Sequence, residues 1–244
     1  MLKIDALGLS FAVNGRAPHI ALAGIDMSVQ RGEVVGLIGG SGAGKSLIAL
    51  ALMGNLPHNA ELSGHVTLDG AAIKAGQMAL VPQAVDALDP LANVGVQIRR
   101  FAELSGQQAD VAALLARVGL HASVATLFPH QLSGGMAKRV LLATALAQEA
   151  DFLIADEPTL GLDPDAADGL LACLSGLAQQ HKGVLVINHD LPRLVQIASR
   201  VIVLNDGHAV ETAPSSAFSG AGAGLSHPFS RALWRAQNGE ILWA

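Results

Sequence analysis

Cysteine occurs once in the 244 residues, at Cys173, which excludes an internal disulfide. The first residues do not combine a basic start, a long apolar core and a small-residue cleavage site, so no secretory leader is expected and the compartment reads as cytosolic. Charge is also scarce: Asp, Glu, Lys and Arg make up 14% of the chain, with a formal net charge of -5. No overall positive field is available to attract nucleic acid or an anionic membrane surface, although a local basic patch is compatible with that total. No stretch approaches the roughly 20 consecutive apolar residues of a membrane helix. Apolar residues are nonetheless abundant, at 51%, and the mean hydropathy is +0.43. Much of this is alanine. It fits either a tight alanine-rich core or an apolar surface covered by a partner. The length accommodates one α/β domain with an inserted subdomain, or two small domains, and no internal repeat is present.

Three short apolar runs, "VVGLI" at 34–38, "FLIAD" at 152–156 and "VLVIN" at 184–188, read as buried parallel strands. Helical spacing follows in "KSLIALALMG", in "KRVLLATALAQ" from Lys138 and in "DAADGLLACLSGLAQQH" from Asp165. Strands alternating with helices predict a mostly parallel sheet with helices on its faces. The alternating segments "LKIDALGLSFAV", "IDMSVQRGE" and "GHVTLDG" predict an antiparallel portion near the N-terminus. Residues 94–128 are amphipathic and show no strand pattern, which predicts a helical insert. Beyond Ala209, "TAPSSAFSGAGAGLSHP" reads as a surface loop before a short last helix.

"GLIGGSGAGKS" at 36–46 contains G-x-x-x-x-G-K-[ST] as Gly39, Gly44, Lys45 and Ser46, at the junction of a predicted strand and helix. Such a loop turns successive N–H groups inward, and the helix dipole reinforces the resulting anion nest. Gly39, Gly40, Ser41, Gly42, Ala43, Gly44, Lys45, Ser46 and Leu47 are therefore candidate polyphosphate contacts. Lys45 would reach the β and γ phosphates and Ser46 would ligate Mg²⁺. In "FLIADEP" a strand delivers Asp156 and Glu157 to its end, where a carboxylate pair is costly to bury unless a cation or a reacting water uses it. Asp156 suits a Mg²⁺ shell and Glu157 suits a base that polarises water. The plainer reading of that pair is a helix cap running into Pro158. On these motifs alone kinases, GTPases and many ATPases remain possible.

"HQLSGGMAKR" at 130–139 narrows the choice, because it resembles the signature of ATP-binding-cassette (ABC) ATPases, with Met136 where that signature usually has glutamine. The resemblance runs from residue 2 to about 212 and implies a P-loop NTPase (RecA-like) ABC ATPase core. Phe11 then corresponds to the aromatic that stacks on adenine. Gln83 corresponds to the Q-loop glutamine at the Mg²⁺ and attacking water, "GLD" with Asp163 to the D-loop, and His189 to the switch histidine. The other eight histidines show no ligand spacing, so no zinc or nickel site is expected. The implied assembly is a head-to-tail dimer that holds ATP and Mg²⁺ between one subunit's phosphate loop and the other's Ser133, Gly134 and Gly135. The last three residues would form a second anion nest ahead of the helix at 138–148.

"FPHQLSGGM", "DEPTLGLD" and "HPFSRAL" are similar to segments of the ATP-binding subunits of dipeptide, oligopeptide and nickel importers. Many members of that branch end the signature in methionine. Peptide-importing members often carry a cysteine-rich extension after the HP segment, so a chain ending at Ala244 with one cysteine fits the nickel or metallophore side slightly better. The resemblance implies transmembrane permease partners, a second ABC ATPase subunit in a homo- or heterodimer, an indirect extracytoplasmic solute-binding protein, and a peripheral place on the cytoplasmic face of the inner membrane. Within a single ABC domain, 1–83 and 140–212 would be the nucleotide-binding core, 84–139 the helical signature subdomain and 213–244 a tail and helix. "AVDALDPLANVG" after Gln83 resembles the stretch that faces a permease. An ATPase of the same architecture driving a soluble assembly, such as phosphonate breakdown, and a non-catalytic ATP-binding module are the rival readings.

Overall fold

The protein is described by a computed structural model covering residues 1–12 and 17–238. Three strands, β1 (Leu2–Phe11), β2 (His19–Val29) and β4 (Ala60–Leu68), pair antiparallel in the order β2-β1-β4. A six-stranded sheet contains β3 (Val34–Gly39), β5 (Met78–Val81), β6 (Phe152–Asp156), β7 (Gly183–Ile187), β8 (Arg200–Asn205) and β9 (His208–Pro214), in the order β5-β6-β7-β3-β8-β9. All its pairs are parallel except β8 with β9. Its helices are α1 (Lys45–Leu52), α2 (Val94–Leu104), α3 (Val111–Arg117), α4 (Gly134–Leu146), α5 (Pro164–Gln179), α6 (Leu191–Ile197) and α7 (Pro228–Gln237).

Strand alternation builds two cores from one sheet. Successive side chains point to opposite faces: Leu153 and Ala155 of β6, Val184 and Val186 of β7 and Val201 and Val203 of β8 join α2 to α6 on one side. Their neighbours Ile154, Leu185, Ile187, Ile202 and Leu204 join α1 and the antiparallel sheet on the other. Because β3, β6 and β7 are buried on both faces, they read as continuous apolar runs, as parallel strands do.

The expected elements are present, two of them with different bounds, and β5, β8 and α6 are additional to the expected set. The helix expected from Lys138 starts at Gly134, because the Ser133 hydroxyl accepts from Met136 N at 3.2 Å and caps the first turn. The chain beyond Ala209 does not turn into a loop at once. Residues 208–214 pair antiparallel with β8 as an edge strand, and only half of one face of such a strand needs to be apolar, which weakens its sequence pattern.

Candidate active site

The strand order β6-β7-β3 brings three carboxyl ends together, which in open α/β sheets is where ligands bind. There lies a cleft of about 390 Å³ lined by Gly39, Ser41, Gly42, Ala43, Gly44, Lys45, Ser46, Leu47, Glu157 and His189. Gly40 belongs to the same loop, and Lys45 Nζ donates to the carbonyls of Gly39 at 3.0 Å and Gly40 at 2.8 Å. Gly44 has φ +96°, and a Cβ there would stand 2.5 Å from Leu22 Cδ2, so both backbone and packing demand glycine. Burial pushes the Lys45 ammonium below the usual lysine range, against the pull of Glu157 and Asp156.

Glu157 sits immediately after β6 with φ 43°, a left-handed conformation that a non-glycine residue holds only when its surroundings impose it. Its N–H donates to Ile187 O at 2.8 Å across to β7. Its Oε2 accepts from Gln83 Nε2 at 3.1 Å and lies 3.7 Å from His189 Nδ1. Gln83, Glu157 and His189, 106 residues apart at their extremes (189 − 83), therefore meet around one carboxylate. Asp156 is only 7% exposed, and its Oδ1 has no hydrogen-bond partner in the protein. Burial holds its carboxyl above the usual aspartate range and the Glu157 charge adds to this, opposed by a hydrogen bond with Ser46 and by Lys45 and Lys138. A buried, unpartnered carboxylate oxygen beside a serine hydroxyl is a donor set suited to a hard divalent cation.

Lys138, only 5% exposed, is a site residue that sequence reasoning missed. Its Nζ donates to the backbone carbonyl of Gln83 and, at 3.3 Å, to that of Glu157, tying the first turns of α4 to both reactive segments. The available signal was a lysine among apolar neighbours in "MAKRVLL". Asn188 was missed as well. It is fully buried, donates from Nδ2 to Thr159 Oγ1 at 3.1 Å and accepts from Asp190 N at 3.2 Å, which holds the backbone on both sides of His189.

Ser133, Gly134, Gly135, Asp163 and Phe11 are not among the residues lining this cleft. Ser133 and Gly134 are exposed at the start of α4. Gly134 faces a second, largely apolar cleft of about 570 Å³ that Gln83, Val85, Lys138, Leu160, Gly161 and Leu162 also line. Met136 is half-buried and packs against the larger core. Asp163 caps α5, accepting from Ala166 N at 2.9 Å. Phe11 ends β1, half-buried against the smaller core.

Residues 22–160 match the family model described as "ABC transporter". The oligopeptide transport ATP-binding protein OppD of Lactococcus lactis subsp. cremoris is 32% identical over 96% of this chain and 75% of its own length. The dipeptide transport ATP-binding protein DppD of Escherichia coli is 34% identical over 97% and 78%. A solved ATP-binding subunit of an ABC transporter superposes with a TM-score of 0.77 at 25% identity, covering 89% of this chain and 91% of that one. The dimeric cassette MJ0796, bound to ADP and phosphate, shares the fold with a TM-score of 0.75 at 24% identity, covering 88% and 99%. Its phosphate-loop cleft, its α/β frame and these relatives together place the chain in the ABC transporter family, among the cassettes that bind and hydrolyse ATP.

Proposed function

We propose that this cassette is the ATP-hydrolysing subunit of an importer of short peptides, seated on the cytoplasmic face of the inner membrane against permease subunits. The observation that carries the hydrolytic part is the approach of Gln83 and His189 to the Glu157 carboxylate, with Glu157 and His189 lining the same cleft as Lys45. The peptide class is supported by the oligopeptide and dipeptide relatives matched over nearly the whole chain. Nickel chelates have no comparable support among these relatives. Val85 and Leu91, exposed to 40% and 87% after Gln83, supply apolar surface suited to a permease contact.

In this reading the N–H groups of residues 39–47 and the Lys45 ammonium hold the triphosphate. Glu157 orients the attacking water and takes up its proton, Gln83 holds the water's other side, and His189 donates to the γ-phosphate. Ser46 and Asp156, with Gln83, would hold Mg²⁺, which when bound neutralises charge developing on the phosphates. Ser133, Gly134 and Gly135 would meet the γ-phosphate of a second copy or a related subunit, with Asp163 at the seam and Phe11 against adenine. The loss of one such donor typically lowers the rate by about 10²- to 10³-fold. The helical segment 84–139 would carry motion between nucleotide and permease, reaching the core through Lys138.

Affinity purification from detergent-solubilised membranes, followed by peptide-stimulated phosphate release in the purified complex, tests this function. Membrane permeases should accompany the chain, and labelled dipeptide uptake should disappear in a deletion strain while nickel uptake persists. Soluble enzymes in place of permeases would support the assembly reading instead, and ATP binding without phosphate release would support a non-catalytic module.

A further inference from the structure

Residues 218–234, after β9, are tied down by several contacts. Glu211 accepts from Ser226 N at 2.6 Å and Ser226 Oγ at 2.7 Å. Arg231 Nη1 donates to Leu225 O at 2.8 Å, and Trp234, 5% exposed, donates from Nε1 to Gly220 O at 2.8 Å. Phe218 meets the Trp234 ring edge-on at 6.0 Å between centroids. This anchoring fixes α7, and α7 sends two side chains toward the active site. Phe229 approaches the phosphate loop, its ring tip 4.0 Å from where a Cβ on Gly40 would lie. Gln237 Oε1 accepts from Leu191 N at 2.8 Å.

Leu191 opens α6, two residues after His189. The first N–H groups of a helix have no partner within it. Asp190 caps α6 by accepting from Arg193 N at 3.1 Å, which leaves the Leu191 N–H to Gln237. The segment around His189 thus has three holds: Asn188 inside the core, Asp190 within α6, and Gln237 from a helix 46 residues further along the chain. The His189 side chain is itself 54% exposed, so its place relative to Glu157 depends on the backbone that carries it.

We propose that Gln237 is a positioning residue for ATP hydrolysis: through the Leu191 amide, α7 fixes the backbone that aims His189 at Glu157 and the γ-phosphate. The proposal rests on the catalytic role given to His189 above. Gln237→Leu removes the acceptor at similar size, and Gln237→Glu keeps one. In the full chain, Gln237→Leu should lower kcat about tenfold, the scale of one hydrogen bond lost from a preorganised site, and leave KM for ATP within about twofold, since the phosphate loop is not involved. Gln237→Glu should restore most of kcat. In a His189→Ala background the Gln237→Leu change should have no further effect, because a residue acting only through His189 has nothing left to position. Amide exchange at Leu191 should accelerate in Gln237→Leu and not in Gln237→Glu.

Unchanged kcat in Gln237→Leu, or an equal loss with and without His189, overturns the proposal. A His189→Ala variant with undiminished hydrolysis overturns the catalytic role itself, and the positioning with it, which separates that failure from a failure of Gln237 alone.

Discussion

Replacing Asp156 by Asn should make the metal-free protein more stable while removing its response to Mg²⁺. The Asp156 carboxylate lies 7% exposed, with Oδ1 unpartnered, at the end of a fully buried strand. A buried polar atom without a partner costs about 1–3 kcal/mol, and more when charged. Asn is nearly the same size, removes the charge, and brings an amide that can donate from Nδ2 toward the neighbouring Ser46 hydroxyl. A gain of about 1–2 kcal/mol, at about 2–4 °C per kcal/mol for a chain of this length, raises Tm by about 2–8 °C. Scanning calorimetry at pH 7.5 in chelator measures it. The same scans with Mg²⁺ and a non-hydrolysable ATP analogue should favour wild type, since a ligand at about 100 times its Kd adds about 2.7 kcal/mol only to the protein that binds it. The sign with pH is also set. The folded carboxyl titrates above 3.8, so between 3.8 and its raised pKa the folded protein holds more protons than the unfolded chain. The penalty is therefore full above the raised pKa and fades as pH falls toward 3.8, so the advantage of Asn should shrink on acidification. A lower Tm for Asp156→Asn in chelator, or equal stabilisation of both proteins by the Mg-nucleotide, would refute the reasoning.

Glu157→Gln should bind ATP and hold it in a stable dimer, detected by light scattering; a variant that stays monomeric with Mg-ATP, alone and with permease, removes the shared-seam mechanism. Gly44→Ala should lower stability by about 1–3 kcal/mol in urea titration through strain at φ +96° and overlap with Leu22, and should abolish nucleotide binding; wild-type affinity would contradict the tight loop. Lys138→Met should leave ATP affinity near wild type and reduce hydrolysis at least tenfold, because the carbonyls of Gln83 and Glu157 lose their shared donor; an unchanged rate would show that this tie does not position the reactive pair.

The sequence by itself determined the phosphate loop, because an anion nest is made by contiguous backbone and needs only glycines at the right spacing before a helix. It likewise carried the three central strands, whose two-sided burial leaves uninterrupted apolar runs, and the order of motifs that marks the family. The family resemblance grouped Gln83 and His189 with the Glu157 site, and only tertiary structure shows what brings such distant residues together. Glu157 meets Gln83 and His189 because β5, β6 and β7 are neighbours in the sheet, and strand order is not written in any local pattern. Lys138 and Gln237 escaped the reading for the same reason: each acts by bonding backbone groups of remote segments, and a side chain aimed at a remote carbonyl or amide leaves no periodicity to read. Edge strand β9 and the first turn of α4 were hidden by glycine-rich and half-exposed composition, and their pairing or capping partners settled them only once the chain had folded.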